Sequence, residues 1–166
     1  MGVVLYAATC PEGRERETAY GLLALALERE LGVFPMPEIA RQPGGKPCFP
    51  HRPEICFNLS HSRGAAVCAL SDRPVGVDVE RLRTPPRRLG RGMAAEEFFR
   101  LWTAREATVK REGRGIAAIL AGAEPAADCC AVEGLLPPAW VVSVCPGDGV
   151  RQVFCPVPPG VYPPVP

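Results

Sequence analysis

The chain is 166 residues long, 47% hydrophobic and 22% charged, with a formal net charge of +1. That length supports one domain or two small fused lobes around a real core. The near-zero charge removes bulk electrostatics as a reason to bind nucleic acid, so charge-based chemistry must come from local clusters.

GVVLYAA (2–8) reads as a buried strand and lacks the basic flank of a secretion signal. GLLALAL is far too short for a membrane span, so the expected compartment is the cytoplasm, without a membrane partner. Eight cysteines occur without a C-x-x-C pair and with only two histidines. They are expected as reduced thiols packing like small hydrophobes, not as zinc ligands or disulfides.

A helix follows the first strand. Pro11 lies near its first turn, Glu12, Glu15 and Glu17 crowd its start, Leu23, Leu27 and Leu31 share a face, and Gly32 stops it. Residues 35–53, rich in Pro and Gly, read as an ordered loop. ICFNLS (55–60), AAVCALS (65–71) and VGVDVE (75–80), joined by the short links HSRG and DRP, predict an antiparallel meander. RLRTPPRRLGRG (81–92) is a basic loop. A second helix is expected from Ala95 to Glu112, with Gly113 as its stop.

CCAV, AWVVSVC (139–145) and VRQVFC (150–155) complete the strand set, with PGDG as a hairpin turn between the last two. The proline-rich tail, 156–166, reads as an extended arm. Each half thus carries a helix and a small antiparallel sheet. The expectation is an α+β fold with an N-terminal lobe, 1–80, and a C-terminal lobe, 81–166, in one unit.

VGVDVE sets Asp78 and Glu80 on one face and valines on the other. Adjacent carboxylates need a cation between them, or else they form the solvent face of an edge strand. In LWTAREATVK (101–110), Trp102, Glu106 and Lys110 share a helix face, and Glu106 with Lys110 alone would be an ordinary surface pair. FNLSHS (57–62) offers Ser60, His61 and Ser62, groups that suit a phosphate oxygen or simply make a turn. GGKP (44–47) places a lysine where backbone can approach a ligand, or is a plain surface loop.

Taken in order, G-K-P, F-N-x-S-H-S, G-V-D-V-E and W-x-x-x-E-A-x-x-K resemble the Sfp-type phosphopantetheinyl transferases, from about Gly44 to Gly115. The resemblance implies two similar α+β lobes related by a pseudo-twofold axis, with coenzyme A in the cleft between them. It implies transfer of the 4′-phosphopantetheine arm to a serine of an acyl or peptidyl carrier protein, with release of adenosine 3′,5′-bisphosphate. By motif position it implies Asp78, Glu80 and Glu106 as Mg²⁺ carboxylates. Asp78, Glu106 and Lys110 then carry catalysis. Lys46, Pro47, Ser60, His61, Arg105 and Lys110 would contact coenzyme A. Mg²⁺ suits such a set, because it binds through a few carboxylates plus substrate phosphates. The serine proton would go to Glu106 or to a water on the metal.

The chain departs from the family pattern in places. Arg105 stands where the family has lysine, a planar fork in place of a point charge. The segment between Glu80 and Trp102 is short, and Glu96 or Glu97 would have to replace an acidic residue of larger members. Arg14 and Arg16 either reach a phosphate or pair with Glu15 and Glu17, and the pairing is the favoured reading. Arg81, Arg83, Arg87, Arg88 and Arg91 form a solvated loop or a docking surface for an acidic carrier. A non-catalytic module that binds coenzyme A or a carrier is the alternative function. Two lobes in one chain imply a monomer, and the carrier's pathway (fatty acid, polyketide or peptide synthesis) stays open.

Overall fold

In the computed structural model, which describes residues 1–90 and 92–156, the strand expected at the N-terminus is β1 (Val4–Thr9), apolar on both faces. Arg91 and most of the proline-rich tail, from 157 onward, lie outside the described residues. The helix α1 (Glu15–Leu31) starts after Pro11 and ends at Gly32, whose φ of 62° suits a residue without Cβ. Arg14 pairs with Glu17, as the sequence suggests, whereas Glu15 accepts the backbone N–H groups of Gly13 and Gly64. The 35–53 loop contains a short antiparallel ribbon, β2 (Ala40–Arg41) with β3 (Pro47–Cys48).

β4 (Cys56–Ser62) and β5 (Ala65–Ser71) pair antiparallel, and β1 takes the other edge of β5. The meander ends there. β6 (Gly76–Arg81) leaves this sheet and pairs with β8 (Trp140–Cys145), which also pairs with β7 (Cys130–Ala131). Both edges of β5 are already taken, one by β4 and the other by β1, so the strand that follows it must pair elsewhere.

The PGDG hairpin is likewise corrected. β9 (Arg151–Phe154) does not pair with β8 but runs parallel to β1 and covers its open edge. A turn sequence reverses the chain without choosing which edge receives it. Strand membership therefore crosses the division at residue 80 twice, with β6 in the second sheet and β9 in the first.

Mixed α+β structure results, in stacked layers. α1 packs on one face of the four-stranded sheet through Leu22, Leu23 and Leu27 against Tyr6, Phe57 and Leu70. The other face, with Leu5, Val67 and Ala69, meets Val75, Val77, Val79, Val142 and Val144 of the three-stranded sheet. α2 (Ala95–Arg111) covers the far face of that second sheet, with Phe98 and Phe99 on Val141. A buried Thr103–Ser143 hydroxyl bond of 2.8 Å ties α2 to β8. A short helix, α3 (Ala117–Leu120), follows. All eight cysteines are free thiols. Among the described residues no helix is long and apolar enough to cross a membrane.

Candidate active site

The site grows from a seam between the two sheets. Asn58, Ser60 and Ser62 alternate along β4 and point away from α1. Asn58 Oδ1 accepts the Val77 N–H at 2.8 Å, Ser60 Oγ the Val79 N–H at 3.2 Å, and Ser62 Oγ the Arg81 N–H at 3.4 Å. Side chains thus stand in for the missing strand partner on that edge of β6. The two serines also donate to the acids of β6, Ser60 to Asp78 Oδ1 at 2.7 Å and Ser62 to Glu80 Oε2 at 2.9 Å.

From the other side α2 lies directly on β6. A Cβ on Gly76 would sit 1.9 Å from Ala107 O and 2.5 Å from Arg111 N, so only glycine permits this approach. The contact brings the α2 face with Glu106 and Lys110 over Asp78. Lys110 Nζ donates to Asp78 Oδ1 at 2.6 Å and to Ser60 Oγ at 3.0 Å, and lies 3.5 Å from Glu106 Oε2. Ser60 has then used its one proton and both lone pairs. Its three bonds in this structure all lie inside the cluster.

Electrostatics follow from this crowding. Burial pushes the Glu106 carboxyl up to about 7, the charge of Asp78 pushes the same way, and Lys110 opposes. Burial pulls the Lys110 ammonium down, but Asp78 and Glu106 outweigh it and hold it above the ordinary lysine value. Asp78 Oδ2 is buried without a hydrogen-bond partner. An orphaned carboxylate oxygen beside a second carboxyl of raised pKa is the chemistry of a cation site, and it fits Mg²⁺ held by one or two carboxylates.

The three expected metal carboxylates do not converge: among the described residues no group of three His, Cys, Asp or Glu is arranged to hold a metal ion. Asp78 and Glu106 come together. Glu80, two residues further out, is engaged by Ser62 and by Arg83 Nη1 at 2.7 Å, and adds only a longer-range negative field at Glu106.

Other expected residues are placed as follows. Lys46 and Pro47 line a cleft of about 220 Å³ with Gly45, Asn58, Lys110 and Arg114. Lys46 Nζ itself donates to two main-chain carbonyls, Val75 O at 2.9 Å and Arg111 O at 3.0 Å. His61 alternates to the α1 side of β4. Its imidazole titrates below the ordinary value, mainly through partial desolvation despite its exposed ring, with Lys110 and Arg16 adding and Glu15 opposing. Arg105 is withdrawn from the cluster and pairs with Glu124 Oε1 at 2.7 Å. The contact is a single bond from Nη2, and Arg105 Nε is buried without a partner. Glu96 is held on the surface by Arg100, and Glu97 is exposed. From sequence Ser62 reads only as a turn or phosphate group, and the seam residue Asn58 and the contact residue Gly76 are given no role there. The period-two polar series N-x-S-x-S was the available signal.

No protein-family model matches the chain. Curated proteins do. It is 32% identical over 169 residues to the 4′-phosphopantetheinyl transferase AcpT of Salmonella typhimurium, covering 89% of this chain and 80% of AcpT. The chain belongs to the 4′-phosphopantetheinyl transferase family. It is also 37% identical over 131 residues to HetI of Nostoc sp., covering 64% of this chain and 55% of HetI. With Sfp of Bacillus subtilis it shares 28% identity over 88 residues, 43% of this chain and 39% of Sfp. The matched region thus spans about half or less of the latter two relatives.

Proposed function

We propose that the protein transfers the 4′-phosphopantetheine arm of coenzyme A to a serine of an acyl or peptidyl carrier protein, releasing adenosine 3′,5′-bisphosphate. The observation that carries this reading is the Asp78–Lys110–Glu106 cluster beside the cleft formed by the G-K-P loop. The names of the relatives, above all the match to AcpT over most of the chain, support it.

In this reading the nucleotide and pyrophosphate enter the cleft past Pro47. The carrier serine oxygen forms a bond to the pantetheine-side phosphorus, and the bond from that phosphorus to the oxygen bridging to the adenosine 5′-phosphate breaks. Lys110 turns its ammonium to the pyrophosphate oxygens, where charge builds. Glu106, with a carboxyl poised near neutrality, takes the serine proton. Asp78 and Glu106 are the residues that would hold Mg²⁺, which when bound would supply positive charge at the pyrophosphate. Arg105, already neutralised by Glu124, has no part in the step.

The two helix-on-sheet units are proposed as lobes related by a pseudo-twofold axis, with boundaries near 1–80 and 81–166 apart from the exchanged strands. The enzyme is proposed to act as a cytoplasmic monomer, with the arginines of the 81–92 loop facing an acidic carrier. The test is incubation with apo-carrier, coenzyme A and Mg²⁺, followed by mass spectrometry of the carrier. A gain of one phosphopantetheine that is lost with Glu106→Gln supports the reading. No gain across acyl and peptidyl carriers rejects it in favour of a binding module.

A further inference from the structure

We propose that Lys46 is a positioning residue that acts through the C-terminus of α2 and not through a phosphate. The inference rests on the transferase reading for its consequence, and on helix-capping geometry for its basis. α2 ends in a paired cap. Gly113, at φ 69°, donates to Lys110 O at 3.2 Å, and Arg114 N donates to Val109 O at 2.8 Å. That pair of bonds satisfies two of the terminal carbonyls. The next one, Arg111 O, is beyond its reach, and a helix end leaves such carbonyls in need of a donor. Lys46 Nζ supplies it at 3.0 Å, from 65 residues away in the chain.

The same ammonium donates to Val75 O at 2.9 Å, immediately before β6. One positive group therefore joins the last turn of α2 to the entry of the strand that α2 lies on. It does so at the negative end of the helix dipole, where a cation is favoured. The neighbouring backbone is fitted to the clamp, since a Cβ on Gly44 would lie 2.1 Å from Gly113 O. Lys110 is the residue before Arg111, and Asp78 is three residues past Val75. Whatever fixes these two carbonyls relative to each other fixes how Lys110 and Glu106 sit over Asp78. The lysine of the G-K-P loop thus sets the spacing of the catalytic cluster from outside it.

The test compares Lys46→Met, which keeps the apolar stem and removes the ammonium, with Lys46→Arg, which restores a cationic donor. In Lys46→Met, amide exchange in the last turn of α2 should speed up about tenfold, the size of a lost helix cap. The kcat for transfer should fall by about tenfold or more, with the KM for coenzyme A within about threefold of wild type. The binding ratio of coenzyme A to 3′-dephospho-coenzyme A, by calorimetry, should be unchanged, and Lys46→Arg should recover most of the kcat. Loss confined to coenzyme A binding, and larger for coenzyme A than for its dephospho form, overturns the inference in favour of a phosphate contact. Unchanged amide exchange also overturns it. If Lys46→Met does not fold, Lys46→Gln takes its place with the same readouts. Failure of the wild type to modify any carrier rejects the transferase reading alone, because the exchange measurement still decides the capping role.

Discussion

Ser60 Oγ donates to Asp78 Oδ1 at 2.7 Å across the gap between two sheets, while the Val79 N–H and Lys110 Nζ both donate to that same hydroxyl. A single buried oxygen thus joins β4, β6 and α2. Ser60→Ala strips one partner from each of three polar groups, and an unsatisfied buried group costs about 1–3 kcal/mol. Urea unfolding should show a loss of that size at unchanged m-value. A change within about 0.5 kcal/mol, the range of an ordinary surface substitution, would contradict the seam.

Glu106 offers a direct electrostatic check. Its carboxyl is raised to about 7 by burial, then by the negative charge of Asp78, against the opposing Lys110. Removing the anion with Asp78→Asn should lower the value. Removing the cation with Lys110→Met should raise it further. Carbon-13 titration of the side-chain carboxyl in metal-free protein reads both, and shifts of the opposite sign would refute the arrangement.

Gly76 tests the contact that builds the cluster. Its missing Cβ would meet Ala107 O at 1.9 Å and Arg111 N at 2.5 Å, both main-chain atoms that cannot rotate aside. Gly76→Ala should cost about 3 kcal/mol or more and abolish transfer, as overpacking against fixed backbone does. Gly115→Ala, with open space around its position, is the control and should change the melting temperature little.

The basic loop divides by engagement. Arg81 pairs with Glu12 and stacks over Trp140, and Arg83 pairs with Glu80 over the ring of Phe99. Arg87 and Arg88 are exposed. Reversing these two to Glu should raise the KM for an acidic carrier severalfold and weaken its salt dependence, with coenzyme A affinity unaffected. Steady-state kinetics against ionic strength measures this, and unchanged carrier kinetics would remove the loop from docking.

The chain itself determined both long helices, their glycine stops, most of the strands, and the acids, lysine and serine that meet in the cluster. These follow from local periodicity and from the order of four short motifs. Only the tertiary structure decided which sheet β6 and β9 would join, because a turn reverses the chain without naming its partner edge. It also decided what the polar residues touch. Ser60 faces Asp78, Lys46 donates to the last carbonyl of α2, Arg105 turns to Glu124, and Glu80 is engaged by Arg83. Sequence spacing gives the face of a strand or helix. The partner across that face depends on how two sheets and a helix pack, and that is settled by burial of the valines between the sheets and by the backbone contact at Gly76.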